Sequence, residues 1–78
     1  MADSPIPGYA YLVTNPERFG GKPTIKGTRF SVSFILGCLS EGMSYDDIVR
    51  EYSEFPRESL PEALRFAAAV IDRRDVAA

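Results

Sequence analysis

The sequence predicts a mainly α fold, in which short N-terminal β elements precede a three-helix, helix-turn-helix-like bundle. Two apolar repeats at helical spacing, joined by a short turn that contains glycine, predict the first two helices. A third apolar repeat predicts the last helix. The 78 residues suffice for a single domain, which we place at 9–74, between a flexible tail at 1–8 and a frayed C-terminus at 75–78.

The first third of the chain predicts the β elements. Residues 1–8 contain two prolines and a glycine, which disfavour regular structure. Residues 9–14 are rich in aromatic and β-branched side chains and are followed by an Asn-Pro pair, so we expect a short strand stopped by a turn. One helical turn at 16–19 follows. Residues 23–25 and 28–30 flank a Lys-Gly pair and suggest a small hairpin.

Residues 20–29, the glycine-rich loop, have the most constrained composition in the chain. They hold three glycines, one proline and three cations, without an acid. Glycine permits backbone angles closed to other residues, and proline fixes φ, so we expect a loop of defined shape. The residues expected to shape it are Gly20, Gly21, Pro23, Gly27 and Thr28. Its cations, expected to contact a partner or a nucleic acid, are Lys22, Lys26 and Arg29.

Capping residues bound the first two predicted helices. Ser31 is a plausible N-cap, and Gly42 fits the left-handed position after a helix end. Ser44 then opens the second helix, with two aspartates in its first turn that favour the positive end of the helix dipole. The apolar faces of the two helices are expected at Val32, Ile35, Leu36, Leu39, Tyr45, Ile48, Val49 and Tyr52.

The last helix carries two apolar stripes. Ser59 and Glu62 have the spacing of a capping box, which places Pro61 in the first turn. A start at Pro56 would put Pro61 in the interior of the helix, so the start stays open between these positions. The second stripe, formed by Phe66, Ala69 and Val70, exceeds what three short helices can cover. We expect it to form a dimer interface.

Charge is divided along the chain. Residues 18–40 contain four cations and no acid, whereas residues 41–78 contain five basic and nine acidic side chains. Such separation can orient a partner or a second copy of the chain. The N-terminus lacks a basic and apolar leader, and no apolar run approaches the roughly 20 residues of a membrane span, so a cytoplasmic location without membrane contact is expected.

The composition argues against an enzyme. Histidine is absent and Cys38 is the single cysteine, so neither a Ser-His nor a Cys-His pair can form. A zinc site is equally disfavoured, and Cys38 is expected to be a small apolar group. The Gly21-Lys22 pair lacks the glycine and the hydroxyl residue that complete a phosphate loop. We expect no catalytic residue, metal, cofactor or small-molecule ligand.

Nucleic-acid binding stays open at this level. The three-helix pattern and the acid-free loop favour it, and Arg57 and Arg65 could contact phosphates. Carboxylates interleaved with these arginines, and an isoelectric point near 5.0, argue against strong binding. A three-helix unit that serves only as a scaffold is the favoured interpretation.

The string Gly-Lys-Pro at residues 21–23, Gly-Thr-Arg at 27–29 and Gly-Met-Ser at 42–44 resembles the domain of unknown function 433 family. The resemblance covers about residues 12–68. It implies a compact dimer with a helix-turn-helix-like core, and many members look like antitoxin partners of small PIN-like nucleases. It brings no catalytic residue. The chain departs from the usual pattern at Ser53, where a proline is common, and at Pro61.

Three functions follow as hypotheses. The first is a homodimeric antitoxin-like protein that binds a PIN-like nuclease and represses its own operon by binding operator DNA. The second is a stand-alone helix-turn-helix transcriptional regulator. The third is a structural dimerisation module that does not bind DNA.

Overall fold

The computed structural model describes residues 3–77, and the side chains of residues 3–73. Three short strands lie at Ser4–Pro5 (β1), Leu12–Thr14 (β2) and Thr24–Ile25 (β3). Three helices follow, at Val32–Ser40 (α1), Tyr45–Glu51 (α2) and Ser59–Ala77 (α3). A 3-10 turn at Phe19–Gly21 separates β2 from β3.

The strands form one antiparallel sheet in the order β1-β2-β3, so the predicted mainly α class is wrong. The predicted β elements and helices are present, but the fold combines three helices with a three-stranded sheet. Val13 of the central strand lies opposite Pro5 on one side and Thr24 on the other. Leu12 and its partner Ile25 are both buried, so the sheet supplies part of the core.

Both chain termini differ from the expectation of irregular structure. Ser4 and Pro5 pair with β2, and proline is tolerated there because β1 is an edge strand. The mobility expected at residues 1–8 stays a prediction, and residues 1 and 2 lie outside the described part. At the other end, α3 continues through residue 77, while residue 78 is not described.

The expected hairpin at residues 23–30 is present only in part. The Ile25 N–H donates to the Phe30 carbonyl across 3.0 Å, and Thr24 forms an isolated bridge with Ser31. The main partner of Thr24 and Ile25, however, is β2, which lies earlier in the chain. The turn therefore brings β3 onto the sheet and leads directly into α1.

Both predicted ends of α1 are confirmed. The Ser31 hydroxyl accepts the Phe34 N–H across 3.2 Å as an N-cap. At the other end, Gly42 has a φ of 94°, which glycine adopts without steric cost. Its N–H donates to the Leu39 carbonyl across 3.0 Å, and the Met43 N–H donates to the Cys38 carbonyl across 3.2 Å. These two bonds form a Schellman motif.

α2 begins with a complete capping box. The Ser44 hydroxyl accepts the Asp47 N–H, and the Asp47 carboxylate accepts the Ser44 N–H, each across 3.0 Å. The hydrogen bonds from the Ser44 backbone and hydroxyl, followed by the nearby Arg50, hold the pKa of Asp47 below its ordinary value. The charged form of Asp47 therefore stabilises the fold.

The helices and the sheet share one core. Its fully buried side chains include Ile25 of β3, Ile35 of α1, Ile48 of α2 and Leu60 of α3. Of the predicted apolar face of α1, Val32 and Ile35 are buried, while Leu36 and Leu39 are half-buried. An aromatic cluster covers one side of this core and consists of Phe30, Phe34, Tyr52 and Phe55.

α3 begins at Ser59, within the interval that the sequence left open, and Pro61 lies in its first turn. The predicted capping partners are engaged elsewhere. The Ser59 hydroxyl donates to the Pro56 carbonyl across 2.7 Å. The Glu62 carboxylate accepts the Ala10 N–H across 2.7 Å and the Tyr11 N–H across 2.8 Å. Glu62 therefore joins α3 to the segment that leads into β2, more than 50 residues earlier in the chain.

We expect Asp47→Asn to lower the urea midpoint at neutral pH, because the folded chain stabilises the aspartate charge. The pKa of Asp47 is lower when folded than the value of about 3.9 in an unfolded chain. This contribution is complete above the unfolded pKa and is lost as pH falls through the folded pKa. The difference between wild type and Asp47→Asn should therefore shrink below about pH 4. Glu51→Gln, on the same helix, is the control; an equal pH dependence in both variants would contradict the prediction.

We expect Glu62→Gln to lower the free energy of unfolding by about 1–3 kcal/mol, because the amide group cannot accept both backbone N–H groups. The Glu62 side chain is only 13% exposed, so water replaces the lost bond poorly. Urea unfolding of Glu62→Gln and of the exposed Glu58→Gln measures the difference. Equal midpoints for the two variants would show that the Glu62 bonds contribute nothing to stability.

Candidate protein-interaction surface

Three successive residues at the start of the glycine-rich loop have left-handed backbone angles. Phe19 lies directly before the loop, and Gly20 and Gly21 are its first two residues. The φ angles of Phe19, Gly20 and Gly21 are 52°, 63° and 84°. Glycine adopts such angles freely, whereas a bulky residue seldom does, so Phe19 is the unusual member of the turn. The Lys22 N–H donates to the Phe19 carbonyl across 3.2 Å and closes the turn.

Thr28 holds the far end of the loop. Its N–H and its hydroxyl both donate to the Ile25 carbonyl, across 3.0 and 2.9 Å, and its hydroxyl accepts the Phe30 N–H across 3.1 Å. The Arg18 guanidinium donates to the Thr28 carbonyl and lies 3.5 Å from the Asp3 carboxylate. Thr28 is buried, and its hydroxyl bond to the Ile25 carbonyl is shielded from water.

Pro23 and Gly27 lie between the left-handed turn at residues 19–21 and the hydrogen bonds of Thr28. The Pro23 carbonyl accepts the Val32 N–H across 2.9 Å, which ties the loop to the first turn of α1. Gly27 has a φ of 79° and lies in the turn that Ile25 and Thr28 close. The predicted loop residues therefore form one hydrogen-bonded unit between the sheet and α1.

The three loop cations differ in their surroundings. Arg29 lies 3.6 Å from the Glu54 carboxylate and 5.2 Å above the centre of the Phe30 ring. Lys22 and Lys26 are exposed, and within the described residues no carboxylate pairs with either. The uncompensated positive charge of the loop therefore lies at the two lysines.

Arg57 and Arg65 are engaged within the chain. Arg57 precedes α3, forms an ion pair of 3.0 Å with Asp46 and lies 5.6 Å above the Tyr45 ring. Arg65 donates to the Gly8 carbonyl across 3.3 Å and lies 4.3 Å above the Tyr9 ring. A carboxylate next to an arginine lowers the affinity of that arginine for phosphate, and Asp46 and Glu62 lie beside Arg57 and Arg65. The prediction that Arg57 and Arg65 contact nucleic acid is therefore weakened.

An apolar groove lies between α1 and α3 and has a volume of about 300 Å³. The groove, named the α1/α3 groove, is lined mainly by Val32, Leu36, Phe66, Ala67, Val70 and Ile71. Lys22 and Pro23 bring the glycine-rich loop to its rim. Because the lining is almost wholly apolar, this surface is unfavourable in water when uncovered.

The groove exists because α3 extends beyond the layer that covers its first half. Leu60 and Ala63 are completely buried, but Val70, at the next positions of the same helical face, is only half-buried. Ile71 and Leu64 are 57% and 39% exposed. The core-facing stripe of α3 thus continues into a region where no described part of the chain fully covers it.

The predicted dimer residues lie on this part of α3 but are not equivalent. Phe66 and Val70 line the groove, and the Phe66 ring also meets the Tyr9 ring edge-on at 5.4 Å. Ala69 is half-buried and does not line the groove. Ile71 also lines the groove and is exposed, but it was not among the residues predicted for the dimer interface. Its spacing of four residues from Ala67 was the available signal, but only the fold shows which side of α3 is uncovered.

The fold and these surfaces define a small single-domain protein with an uncovered apolar groove next to a cationic loop. The family model described as Protein of unknown function (DUF433) matches residues 12–67, and the chain belongs to this family. No curated protein and no solved structure matches the chain significantly. Within residues 3–77, no helix combines the length and apolar character needed to cross a membrane.

We expect Thr28→Val to lower the free energy of unfolding by about 1–3 kcal/mol, because it removes the hydroxyl that bonds Ile25 and Phe30 at a buried position. Thr28→Ser keeps the hydroxyl and is the matched control. Chemical unfolding of both variants measures the difference. A Thr28→Ser variant as unstable as Thr28→Val would show that the methyl group, and not the hydroxyl, holds the loop.

Proposed function

We propose that the protein is a cytoplasmic, homodimeric, antitoxin-like protein that binds a PIN-like nuclease. The observation that carries the proposal is the uncovered α1/α3 groove, an apolar surface suited to contact with protein. The resemblance of residues 21–29 and 42–44 to the family implies an antitoxin-like role, and the family match over residues 12–67 is consistent with that expectation. The protein acts by binding and not by catalysis.

A second copy of the chain is the occupant that fits the groove. A domain of 78 residues buries only roughly 60–65% of the surface of its unfolded chain, less than larger domains do, and is marginally stable alone. In a two-fold dimer each copy contributes the same uncovered stripe of α3, so one interface covers two apolar faces. Phe66 and Val70 lie at the centre of this surface.

The nuclease would bind a different, acidic part of the surface. The exposed carboxylates of Glu41, Glu51 and Glu58 pair with no cation in the described part of the chain. A nuclease presents cations because it binds the phosphates of a nucleic acid. Opposite charges steer two such proteins together and accelerate association at low salt.

The chemistry of Cys38 supports a role in binding rather than in catalysis. Burial, and then the nearby Glu41 carboxylate, raise the pKa of the Cys38 thiol. At neutral pH the thiol therefore stays protonated and is a weak nucleophile. The chain also lacks histidine, the commonest general base.

Autoregulation by operator DNA is the second candidate function. Lys22 and Lys26, exposed and without an acidic partner in the described residues, are the observation that favours it. The net charge of −2 limits such binding, so DNA contact would need the doubled loops of a dimer or of the nuclease complex.

Co-expression with the product of the neighbouring gene, which the proposal expects to be a PIN-like nuclease, tests the proposal. We expect a co-purifying complex and relief of nuclease toxicity. Glu51→Gln combined with Glu58→Gln should slow association at low salt by several-fold, because steering depends on these charges. Lys26→Gln is the control of opposite charge and should not slow it. Absence of both the complex and the relief of toxicity would refute the antitoxin-like function.

A further inference from the structure

Phe19 is the one exposed large aromatic side chain in the described part of the chain that the fold does not use. It is 48% exposed, and it belongs neither to the buried core nor to the half-buried apolar side chains packed against it. Within the described residues its ring joins none of the aromatic pairs, which connect Tyr9, Phe30, Phe34, Tyr52, Phe55 and Phe66.

The backbone at Phe19 makes this exposure more informative. Its φ of 52° is strained for a residue with a β-carbon, and Gly20 and Gly21 continue the same left-handed turn. The isolated chain would be more stable with glycine at position 19. Strained positions of this kind cluster at functional sites, including ligand clamps, so Phe19 is a candidate contact residue.

The α1/α3 groove is the complementary feature. Its volume of about 300 Å³ is enough for an aromatic ring, and its walls are the apolar side chains of α1 and α3. Lys22 links the two features, because it lies on the rim of the groove and its N–H bonds to the Phe19 carbonyl. Phe19 is not among the side chains that line the groove of its own chain.

We infer that, in the homodimer, the Phe19 ring of each copy inserts into the α1/α3 groove of the other copy. The inference rests on the proposed homodimer and names the residue that fills its surface. Because Lys22 connects the Phe19 turn to the rim of the groove, the ring and the groove are close together, and a two-fold axis between them would let both insertions occur together. The pair of contacts then closes, and no further copies are recruited.

Two properties favour insertion of the Phe19 ring into the groove: the apolar area that the ring can still bury, and the cation of Lys22 on the rim. A phenylalanine buries roughly 150–250 Å² when fully covered, so a half-exposed Phe19 still has about half of that to bury. Two rings, two groove walls and the exposed Ile71 side chains would form the apolar centre of the interface. The surrounding surface would have to supply the rest of the roughly 1,600 Å² that a standard interface buries. The Lys22 ammonium on the rim can lie over the incoming ring as a cation–π contact.

Stacking of Phe19 on a nucleic-acid base is the competing role. Arg18, the cation next to it, is turned inward onto the Thr28 carbonyl and the Asp3 carboxylate. Of the described cations in this loop, only Lys22 and Lys26 would then be free to hold phosphates, which is too little charge for stable binding by one copy. The surroundings of Phe19 therefore favour an apolar protein groove.

Sedimentation equilibrium of the purified full chain tests the inference through the dimer dissociation constant. We expect Phe19→Ala and Phe19→Gly to raise this constant at least tenfold. The midpoint of thermal unfolding, compared for the monomers at high dilution, should be higher for Phe19→Gly than for Phe19→Ala, because glycine relieves the backbone strain. Leu64→Ala, at an exposed apolar position of α3 outside the groove, is the matched control and should change the constant less than threefold.

A double-mutant cycle between Phe19→Ala and Val70→Ala identifies the partner of the ring. The effects should be strongly non-additive, since each variant removes the same contact across the interface. Additive effects, or a Phe19→Gly dimer as tight as wild type, would overturn the inference and leave pairing of α3 helices as the dimer contact. A monomeric wild type would overturn both the inference and the homodimer. Nuclease binding is tested separately by the co-purification described above, and its outcome does not depend on the Phe19 contact.

Discussion

The contact that organises this fold joins the N-terminal segment to the last helix. The Glu62 carboxylate accepts the N–H groups of Ala10 and Tyr11 directly before β2, while Arg65 and Phe66, one turn later, meet the Tyr9 ring. Three consecutive residues are thereby fixed on one face of α3. Because β2 is the central strand, this attachment also positions β1 and β3 against the helices.

The same attachment determines which part of α3 is left uncovered. The sheet and α1 cover the helix around Leu60 and Ala63, and the contacts of Tyr9 end near Phe66. Beyond that point the apolar stripe continues through Val70 and Ile71 without full cover from the described residues. The groove is thus a consequence of a helix longer than the layer on which it packs, and its apolar lining is the physical basis for the proposed dimer.

Local signals were sufficient to predict the helices from sequence. Ser31, Gly42 and Ser44 act within a few residues of their positions, and the structure confirms each of them. The sheet was underestimated because its pairings connect distant residues, such as Leu12 with Ile25, and no local pattern encodes them. Glu62 shows the limit most clearly. Its spacing from Ser59 is that of a local cap, yet its carboxylate bonds residues at the other end of the chain.

The candidate site was also only partly predictable, because local composition is visible in the sequence and long-range packing is not. The composition of residues 20–29 indicated a shaped loop. Only the fold separates Arg29, which pairs with Glu54, from Lys22 at the groove, which has no carboxylate partner among the described residues. Periodicity indicated an excess of apolar residues on α3, whereas the position of the groove depends on how α1 and the loop pack beside it. The strain at Phe19 has no sequence signal apart from the two glycines that follow.

An isotope-filtered NOE experiment on a dimer mixed from labelled and unlabelled chains tests most directly whether the Phe19 ring of one copy enters the α1/α3 groove of the other. It detects proton contacts between copies and not within one copy. If the ring inserts, we expect NOEs from the Phe19 ring of one copy to the methyl groups of Leu36 and Val70 of the other. Absence of intermolecular NOEs to these methyl groups, or NOEs to them only from α3 of the other copy, would contradict this insertion.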